Sequence, residues 1–231
     1  MAMETKSQQH NILKGYNMLL YFAGSMIMYE PKEECIVDFW ENGILKKLPV
    51  SSSNPNFIKA ASQLRDSCSD KTICGKVLRE DYNLLFARQY LPLAPAYESL
   101  YQKNGQLNSN YHTASVTGFY NSYGWESKFK GKIKDDHLGI ELLFLTILID
   151  KYLVLEDEAC REEMRKEIRR FINQHILSWV SEWNEKMQTH SNTLSFKGIG
   201  TLILACSEDI FMLLDQKKQI SFSIDNLKNQ G

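Results

Sequence analysis

The stretch "KIKDDHLGIELLFLTILID", Lys132 to Asp150, decides the fold class because it joins a polar cluster to a strongly apolar run. From Leu142 to Ile149 the only polar side chain is that of Thr146. A membrane span needs about 20 consecutive apolar residues, so this run is too short to cross a bilayer. We therefore predict a helix from about Asp136 to Leu155 that lies at the centre of a hydrophobic core.

The first segment of the chain also shows the period of a helix with one apolar face. Small residues at Ala23, Gly24 and Ser25 follow Lys14, an arrangement that a secretory signal would also show. Helical spacing through the whole segment favours a core-facing first helix instead. The apolar positions are Ile12, Leu13, Tyr16, Leu19, Leu20, Ala23, Met26 and Ile27.

The remaining segments repeat this helical spacing, with breakers between them. Asn54 and Pro55 suit the cap and first residue of a helix, whereas Pro92 and Pro95 interrupt the pattern. Further helices are predicted at Cys35 to Leu48, from Asn54-Pro55 onward, Thr72 to Gln89, Ala94 to Asn104 with a stop at Gly105, Tyr111 to Tyr123, Asp157 to Gln188 with a bend, and Leu194 to Gln219. Alternation typical of a strand is weak and confined to "ISFSI" at 220–224. The sequence thus predicts an all-α bundle of about eight to ten helices.

Composition limits both the size of the fold and the kinds of partner. The 231 residues are 43% hydrophobic, enough for one sizeable core, so we expect a single domain over 1–231. Lys and Arg number 27 against 28 for Asp and Glu, so no basic surplus favours nucleic acid or an anionic membrane as a partner. The five cysteines are odd in number and lack a C-x-x-C pair, which indicates reduced thiols in a cytoplasmic protein.

The polar cluster before the apolar run raises the question of a metal or catalytic site. His137 and Glu141 are four residues apart and share one helical face, with Asp136 adjacent, so the three would suit a small metal-dependent hydrolase. Metal-binding motifs such as H-E-x-x-H are missing, and "GIGT" at 198–201 lacks the Lys of a phosphate-binding loop. The favoured interpretation is that Asp135 or Asp136 caps the helix. We therefore predict no catalytic residue, no metal and no cofactor.

Four stretches in order carry a more specific pattern. They are "DYNLLFARQYLPLAPAYESLY" (Asp81 to Tyr101), "GFYNSYG" (Gly118 to Gly124), "DDHLGIELLFLTIL" (Asp135 to Leu148) and "FINQHILSWVSEWNEKM" (Phe171 to Met187). This order resembles the TorD/DmsD-type chaperones, redox-enzyme maturation proteins of the cytoplasm. The matching positions are Asp81, Tyr82, Phe86, Pro92, Pro95, Tyr97, Glu98, Ser99, Tyr101, Tyr120, Gly124, Asp136, His137, Glu141, Phe171, His175 and Trp179. Asp135 and Ala96 depart from the pattern, since the family usually has Pro at both places.

The resemblance implies a function without catalysis. Such a chaperone binds the N-terminal twin-arginine signal of a molybdopterin-dependent oxidoreductase and holds the apoenzyme for cofactor insertion before export. A related alternative is the assembly of a nitrate-reductase-type enzyme whose peptide need not be exported. A homodimer, even one with exchanged helices, is compatible with the resemblance. The client enzyme is left open, as is binding of guanine nucleotide or of the molybdopterin cofactor.

The resemblance also suggests which residues bind the signal. Arginines followed by an apolar segment need carboxylates beside an aromatic-lined groove. The predicted signal-binding residues are Tyr97, Glu98, Tyr101, Tyr120, Trp125, Asp136, His137 and Glu141, with Phe144 adding apolar surface. Core packing is the favoured interpretation for the aromatic residues, as it is for His175 and Trp179. For Glu98, a solvated face or a local cap is an equal alternative to signal binding.

Overall fold

The computed structural model describes residues 2–32, 44–67, 71–87, 91–101 and 109–215, and within them the protein is all-α, as predicted. The eight helices in these ranges are α1 (Ala2–Met28), α2 (Pro55–Arg65), α3 (Lys71–Tyr82), α4 (Ser109–Ser122), α5 (Leu138–Val154), α6 (Glu158–Phe171), α7 (Val180–His190) and α8 (Leu194–Leu213). Short 3-10 turns lie at Ile44–Lys46 and Glu98–Leu100, and π-turns at Asn83–Ala87 and Ile172–Ile176.

Helix α5 lies in the middle of the core, as its apolar sequence predicts. Its side chains from Leu138 to Ile149 are buried apart from the half-buried Leu143 and Ile147. Helix α1 packs against it in the antiparallel sense, since Asn17 bonds to Asp150 near the end of α5 while Gly24 lies beside Leu142. The other main partner of α1 is α8, which also packs on α2 and α7. None of the described helices combines the length and hydropathy that a membrane span requires.

Several local signals in the sequence are confirmed. The Asn54 side chain caps α2 by accepting a hydrogen bond from the backbone N–H of Asn56, and Pro55 is the first helical residue. Helix α1 is a core helix, because its apolar positions are buried against α5 and α8. The bend expected between Asp157 and Gln188 occurs at the π-turn Ile172–Ile176, which separates α6 from α7.

Two predicted details at the start of α5 and before it are wrong. The helix begins at Leu138 and its cap is His137, not Asp135 or Asp136. The expected helix from Ala94 to Asn104 is also absent over 94–97, where Tyr97 has an extended backbone. Pro95 and pairing of this segment with another part of the chain explain the difference, since both favour extended backbone.

Some predictions fall outside the described residues. These are most of the helix from Cys35 to Leu48, the helix stop at Gly105 and the "ISFSI" segment. Among the described cysteines, Cys160 and Cys206 are free thiols, but Cys74 is disulfide-bonded, so the expectation of five reduced thiols is wrong there. The lack of a C-x-x-C motif excludes a disulfide of that spacing only. Cysteines distant in sequence can still form a disulfide when the fold brings them together.

The segment from Leu91 to Tyr101, which we call the strap, crosses the core between two π-turns. The first π-turn leaves backbone carbonyl groups free to accept hydrogen bonds from the strap. The N–H of Leu93 donates to the Leu84 carbonyl at 3.3 Å, and the N–H of Ala94 donates to the Leu85 carbonyl at 3.1 Å. The carbonyl of Ala94 in turn accepts a bond of 3.1 Å from the indole of Trp183 on α7. These contacts hold the first half of the strap.

Candidate functional site

The second half of the strap pairs with the residues that precede α5. Tyr97 and His137 form an isolated antiparallel β-bridge. The backbone N–H of Glu98 donates to the backbone carbonyl of Asp136 at 2.9 Å, and the backbone N–H of Leu138 donates to the backbone carbonyl of Ala96 at 2.8 Å. Two segments that are 40 residues apart in the sequence thereby place their carboxylates side by side.

His137 holds the start of α5 as a neutral imidazole. Its Nδ1 accepts a hydrogen bond of 3.0 Å from the backbone N–H of Gly139, so the ring proton belongs on Nε2. Burial lowers the pKa of His137 to about 4, although the neighbouring Asp136 acts in the opposite direction. The ring meets that of Tyr97 edge to face, with centroids 4.9 Å apart. His137 is neutral in this state, so it supplies no positive charge to the neighbouring Asp136.

Glu98 and Asp136 are acidic side chains withdrawn almost completely from solvent. Glu98 is 1% exposed and Asp136 is 0% exposed. The Nδ1 of His175, from the π-turn before α7, lies 3.1 Å from Oε2 of Glu98. Oδ2 of Asp136 accepts a long bond of 3.3 Å from the backbone N–H of Ser99, but Oδ1 has no partner among the described residues.

Glu141 is the most unusual group of the site. It is 0% exposed, and no donor within the described ranges reaches either of its carboxylate oxygens. Burial raises the pKa of Glu141 well above its ordinary value, and the charges of Glu98 and Asp136 raise it further. As a neutral acid, its hydroxyl can donate to Glu98, which also favours the protonated form. The raised pKa therefore favours the neutral, protonated form of Glu141.

Tyr120 of α4 closes the cluster from a third side. Its hydroxyl donates to the backbone carbonyl of Asp135 at 3.0 Å, and the Thr117 hydroxyl bonds to the Asp135 carboxylate at 2.7 Å. Burial raises the pKa of Tyr120 strongly, with the charge of Glu141 as the second cause. The phenol is therefore a fixed neutral donor that ties α4 to the segment before α5.

The structure groups six of the eight predicted residues and sets two apart. The six are Tyr97, Glu98, Tyr120, Asp136, His137 and Glu141. Trp125 contacts the group only through Tyr120, with ring centroids 4.8 Å apart. Tyr101 stacks on Trp179 at 5.2 Å and lies under the Lys186 ammonium, on the side of α7. Tyr101 and Tyr120 are core residues in this conformation, so packing accounts for both.

His175 is the member of the cluster that the predicted site omits. Its motif, Phe171 to Trp179, suggested packing, and the Trp179 indole does bond to the His175 carbonyl at 2.7 Å. The ring nevertheless turns toward Glu98, because the π-turn changes the direction of residues 172–176. Helical spacing alone contains no signal for such a turn, so the pairing could not be predicted.

A groove of mainly apolar lining runs beside the cluster, between the end of α1 and the start of α5. Gly139 lies at its floor, two residues after His137. A Cβ at this position would lie 2.1 Å from Cγ of Met28, so a glycine lets α1 pack closely here. The other lining residues are Leu20, Tyr21, Gly24, Ser25, Met28, Tyr29, Lys128, Phe129 and Leu143. Of these, Tyr21 and Tyr29 present large exposed surfaces.

The same residues were tested as a metal site. In the described ranges, no group of three or more His, Cys, Asp and Glu side chains is arranged to hold a metal ion. No observation here carries the metal-dependent hydrolase considered from the sequence.

Comparison with known families decides the class of protein. A family model described as "Nitrate reductase delta subunit" matches residues 53–185, more than half of the chain. The chain belongs to this family. A search among curated proteins found no significant match.

The matched range explains why the sequence pattern was informative. It contains the strap, the start of α5 and the His175 turn, and thus every motif position from Asp81 to Trp179. Membership of the nitrate reductase delta subunit family implies a chaperone of molybdoenzyme assembly, a maturation factor rather than a catalyst. The narrower TorD/DmsD-type assignment stays a prediction.

Proposed function

We propose that the chain binds the N-terminal, arginine-containing signal region of a molybdopterin-dependent oxidoreductase and holds the apoenzyme in the cytoplasm for cofactor insertion before export. The residues that bind the signal are the six grouped around the start of α5, together with the more distant Tyr101 and Trp125. The observation that carries this proposal is the acidic cluster of Glu98, Asp136 and Glu141. One oxygen of Asp136 and both oxygens of Glu141 have no donor among the described residues, although both side chains lie in the core.

Physical chemistry makes such a cluster costly for folding alone. A buried carboxyl without a hydrogen bond costs several kcal/mol, and folded proteins rarely leave such groups unpaired. An arginine supplies five N–H donors and a positive charge in a planar group that fits carboxylates. The cost is therefore recovered when an arginine-containing peptide binds.

The apolar part of the client peptide has a surface nearby. The groove between α1 and α5 is lined by Gly139, two residues before Glu141 in the sequence, and exposes Tyr21 and Tyr29. A peptide whose arginines reach Asp136 and Glu141 can lay its next apolar residues along this groove. Contact with apolar surface adds affinity, while the carboxylates give selectivity for arginine.

Two isosteric substitutions test the proposal. Asp136→Asn and Glu141→Gln should each weaken binding of a peptide that has two adjacent arginines before an apolar segment. A hydrogen bond to a charged group is worth about 1.5–3 kcal/mol, so the loss should be about tenfold or more in affinity. Calorimetry measures the affinity, and circular dichroism checks that the fold is kept.

The matched control removes an acid from an exposed surface. Glu163→Gln on α6 breaks only a surface ion pair with Lys166 and should leave binding unchanged. Added salt should weaken binding by the wild type more than by Asp136→Asn, because screening acts on the lost charge. Equal affinity and equal salt dependence in all four proteins would remove the carboxylates from the binding site.

The family match favours a second candidate, the assembly of a nitrate-reductase-type enzyme whose peptide need not be exported. Such a peptide would bind mainly through its apolar residues. Three peptides with the same apolar segment, preceded by two arginines, two lysines or two glutamines, separate the candidates. A strong preference for arginine supports the signal-binding proposal, whereas equal binding of all three supports the second candidate.

A further inference from the structure

The acids of the cluster are closed off from any peptide in this structure. Glu98, Asp136 and Glu141 are at most 1% exposed, so a guanidinium group cannot reach them from solvent without a movement. Glu98 is part of the strap, and two backbone hydrogen bonds join the second half of the strap to residues 136–138, next to Asp136 and Glu141. By contrast, the first half is held by π-turn carbonyls and by Trp183.

Three oxygen atoms of the cluster lack a donor from the described residues. They are Oδ1 of Asp136 and both carboxylate oxygens of Glu141. The two side chains are fully buried, so bulk solvent does not reach these oxygens. A guanidinium group presents five N–H donors in one plane and can serve several such acceptors at once.

We propose that Glu98, Asp136 and Glu141 form a cryptic guanidinium site, in which an arginine of the client replaces the proton of Glu141 while the second half of the strap moves away. This inference rests on the proposed function, since the arginine is that of the client peptide. It adds that the free chaperone is closed and that binding releases a proton.

The exchange keeps the charge of the buried cluster constant. One positive guanidinium enters and one proton leaves to solvent, so the net charge in the core does not change. Charge that is buried without compensation is costly, which makes a one-for-one exchange preferable to adding a cation or leaving an extra anion.

Two described neighbours of Glu141, His137 and Tyr120, do not supply the proton. His137 is already neutral because burial lowers its pKa to about 4, and Tyr120 keeps its proton because burial raises its pKa. The groups that surround Glu141 come from the strap, α4, the start of α5 and the π-turn before α7. They are Glu98, Tyr120, Asp135, Asp136, His137 and His175.

Calorimetry can count the proton. The full chain is titrated at neutral pH with an N-acetylated, C-amidated peptide of two arginines and an apolar segment, in two buffers of different ionisation enthalpy. The dependence of the measured heat on the buffer gives the number of protons released. We expect about one proton per peptide for the wild type and almost none for Glu141→Gln, whose side chain has no proton to lose.

The outcomes separate the two proposals. Arginine-dependent binding without proton release, or with equal release from Glu141→Gln, would overturn the exchange and leave the proposed function standing. Binding that does not depend on the arginines would overturn the proposed function, and the cryptic site with it. Release of one proton by the wild type alone supports both.

Hydrogen exchange of the same complex tests the strap. The amides of Glu98 and Leu138, which form the two closing bonds, should exchange faster when the peptide is bound. The amides of Asn192 and Thr193, which bond to the buried Asp81, serve as the control and should not accelerate. Unchanged or slower exchange at Glu98 and Leu138 would mean that the strap stays closed, and would overturn this part of the inference.

Discussion

Asp81 and Glu141 are both buried acids in the same core, yet their surroundings are opposite. The carboxylate of Asp81, on α3, accepts four hydrogen bonds from the turn between α7 and α8. The donors are the Ser191 hydroxyl, the backbone N–H groups of Asn192 and Thr193, and the Thr193 hydroxyl, at 2.7 to 3.0 Å. Glu141 receives no donor from the described residues.

The difference separates a structural acid from an acid that is kept for binding. Asp81 has as many donors as its oxygens can use, so its charge is compensated and it fixes the start of α8. Glu141 stays neutral by holding a proton, and Asp136 has one long bond. Both acids belong to recognisable motifs, so it is the supply of donors that distinguishes their roles.

A substitution that introduces an acid without a partner into the core should cause the largest loss of stability. Leu145 lies one turn after Glu141 on α5 and is fully buried. Leu145→Asp should abolish soluble expression, since an unpaired buried carboxylate costs several kcal/mol, roughly the stability of a whole domain. Soluble yield and thermal melting provide the measurement.

The control for this variant keeps volume and polarity. Leu145→Met should cost less than about 1.5 kcal/mol and express normally. If Leu145→Asp melted like the wild type, α5 would be a peripheral helix and the comparison between tolerated and untolerated acids would collapse.

The next effect compares Asp81 with Asp136 directly. Asp81→Asn should destabilise the protein by on the order of 3–5 kcal/mol, because the amide places donors against donors and leaves some of them without an acceptor. Asp136→Asn should change stability by less than about 1 kcal/mol, since it weakens only the long bond from Ser99. Unfolding in urea measures both. Equal losses in the two variants would contradict the distinction between a structural and a binding acid.

The sequence predicted the fold and the region of the site, but not the hydrogen bonds within the site. Apolar periodicity placed α1 and α5, and the motif order brought Glu98, Asp136 and Glu141 into one proposal, because each signal is local or repeated. The extended strap depends on pairing with residues 136–138, and His137 rather than Asp136 became the cap. Hydrogen bonds between distant segments leave no periodic pattern in the sequence. The number of donors around each acid therefore became known only from the structure.

Two groups of the cluster affect stability in opposite directions as pH changes. His137 has a lowered pKa of about 4, so the unfolded chain binds a proton that the folded one does not, and stability falls as pH drops from about 6.5 to 4. Glu141 has a raised pKa, so the folded state holds a proton that the unfolded one loses above about 4.5, and stability falls as pH rises. Between about pH 4.5 and 6.5 the two contributions oppose each other.

The smallest expected effect is the pH dependence of stability that Glu141 causes. It is best measured above about pH 6.5, where the contribution of His137 to the free energy of unfolding is constant and that of Glu141 is not. The free energy of unfolding of the wild type, relative to Glu141→Gln, should fall by about 1.4 kcal/mol per pH unit until Glu141 ionises in the folded state. The glutamine has no proton to hold, and most other titrating groups are shared, so the difference between the two proteins isolates Glu141. Urea unfolding of both proteins in steps from pH 6.5 to 8.5 gives this slope. A difference that does not change with pH would show that Glu141 is already ionised at neutral pH. A donor would then have to reach its carboxylate, and Glu141 would belong with Asp81 as a structural acid.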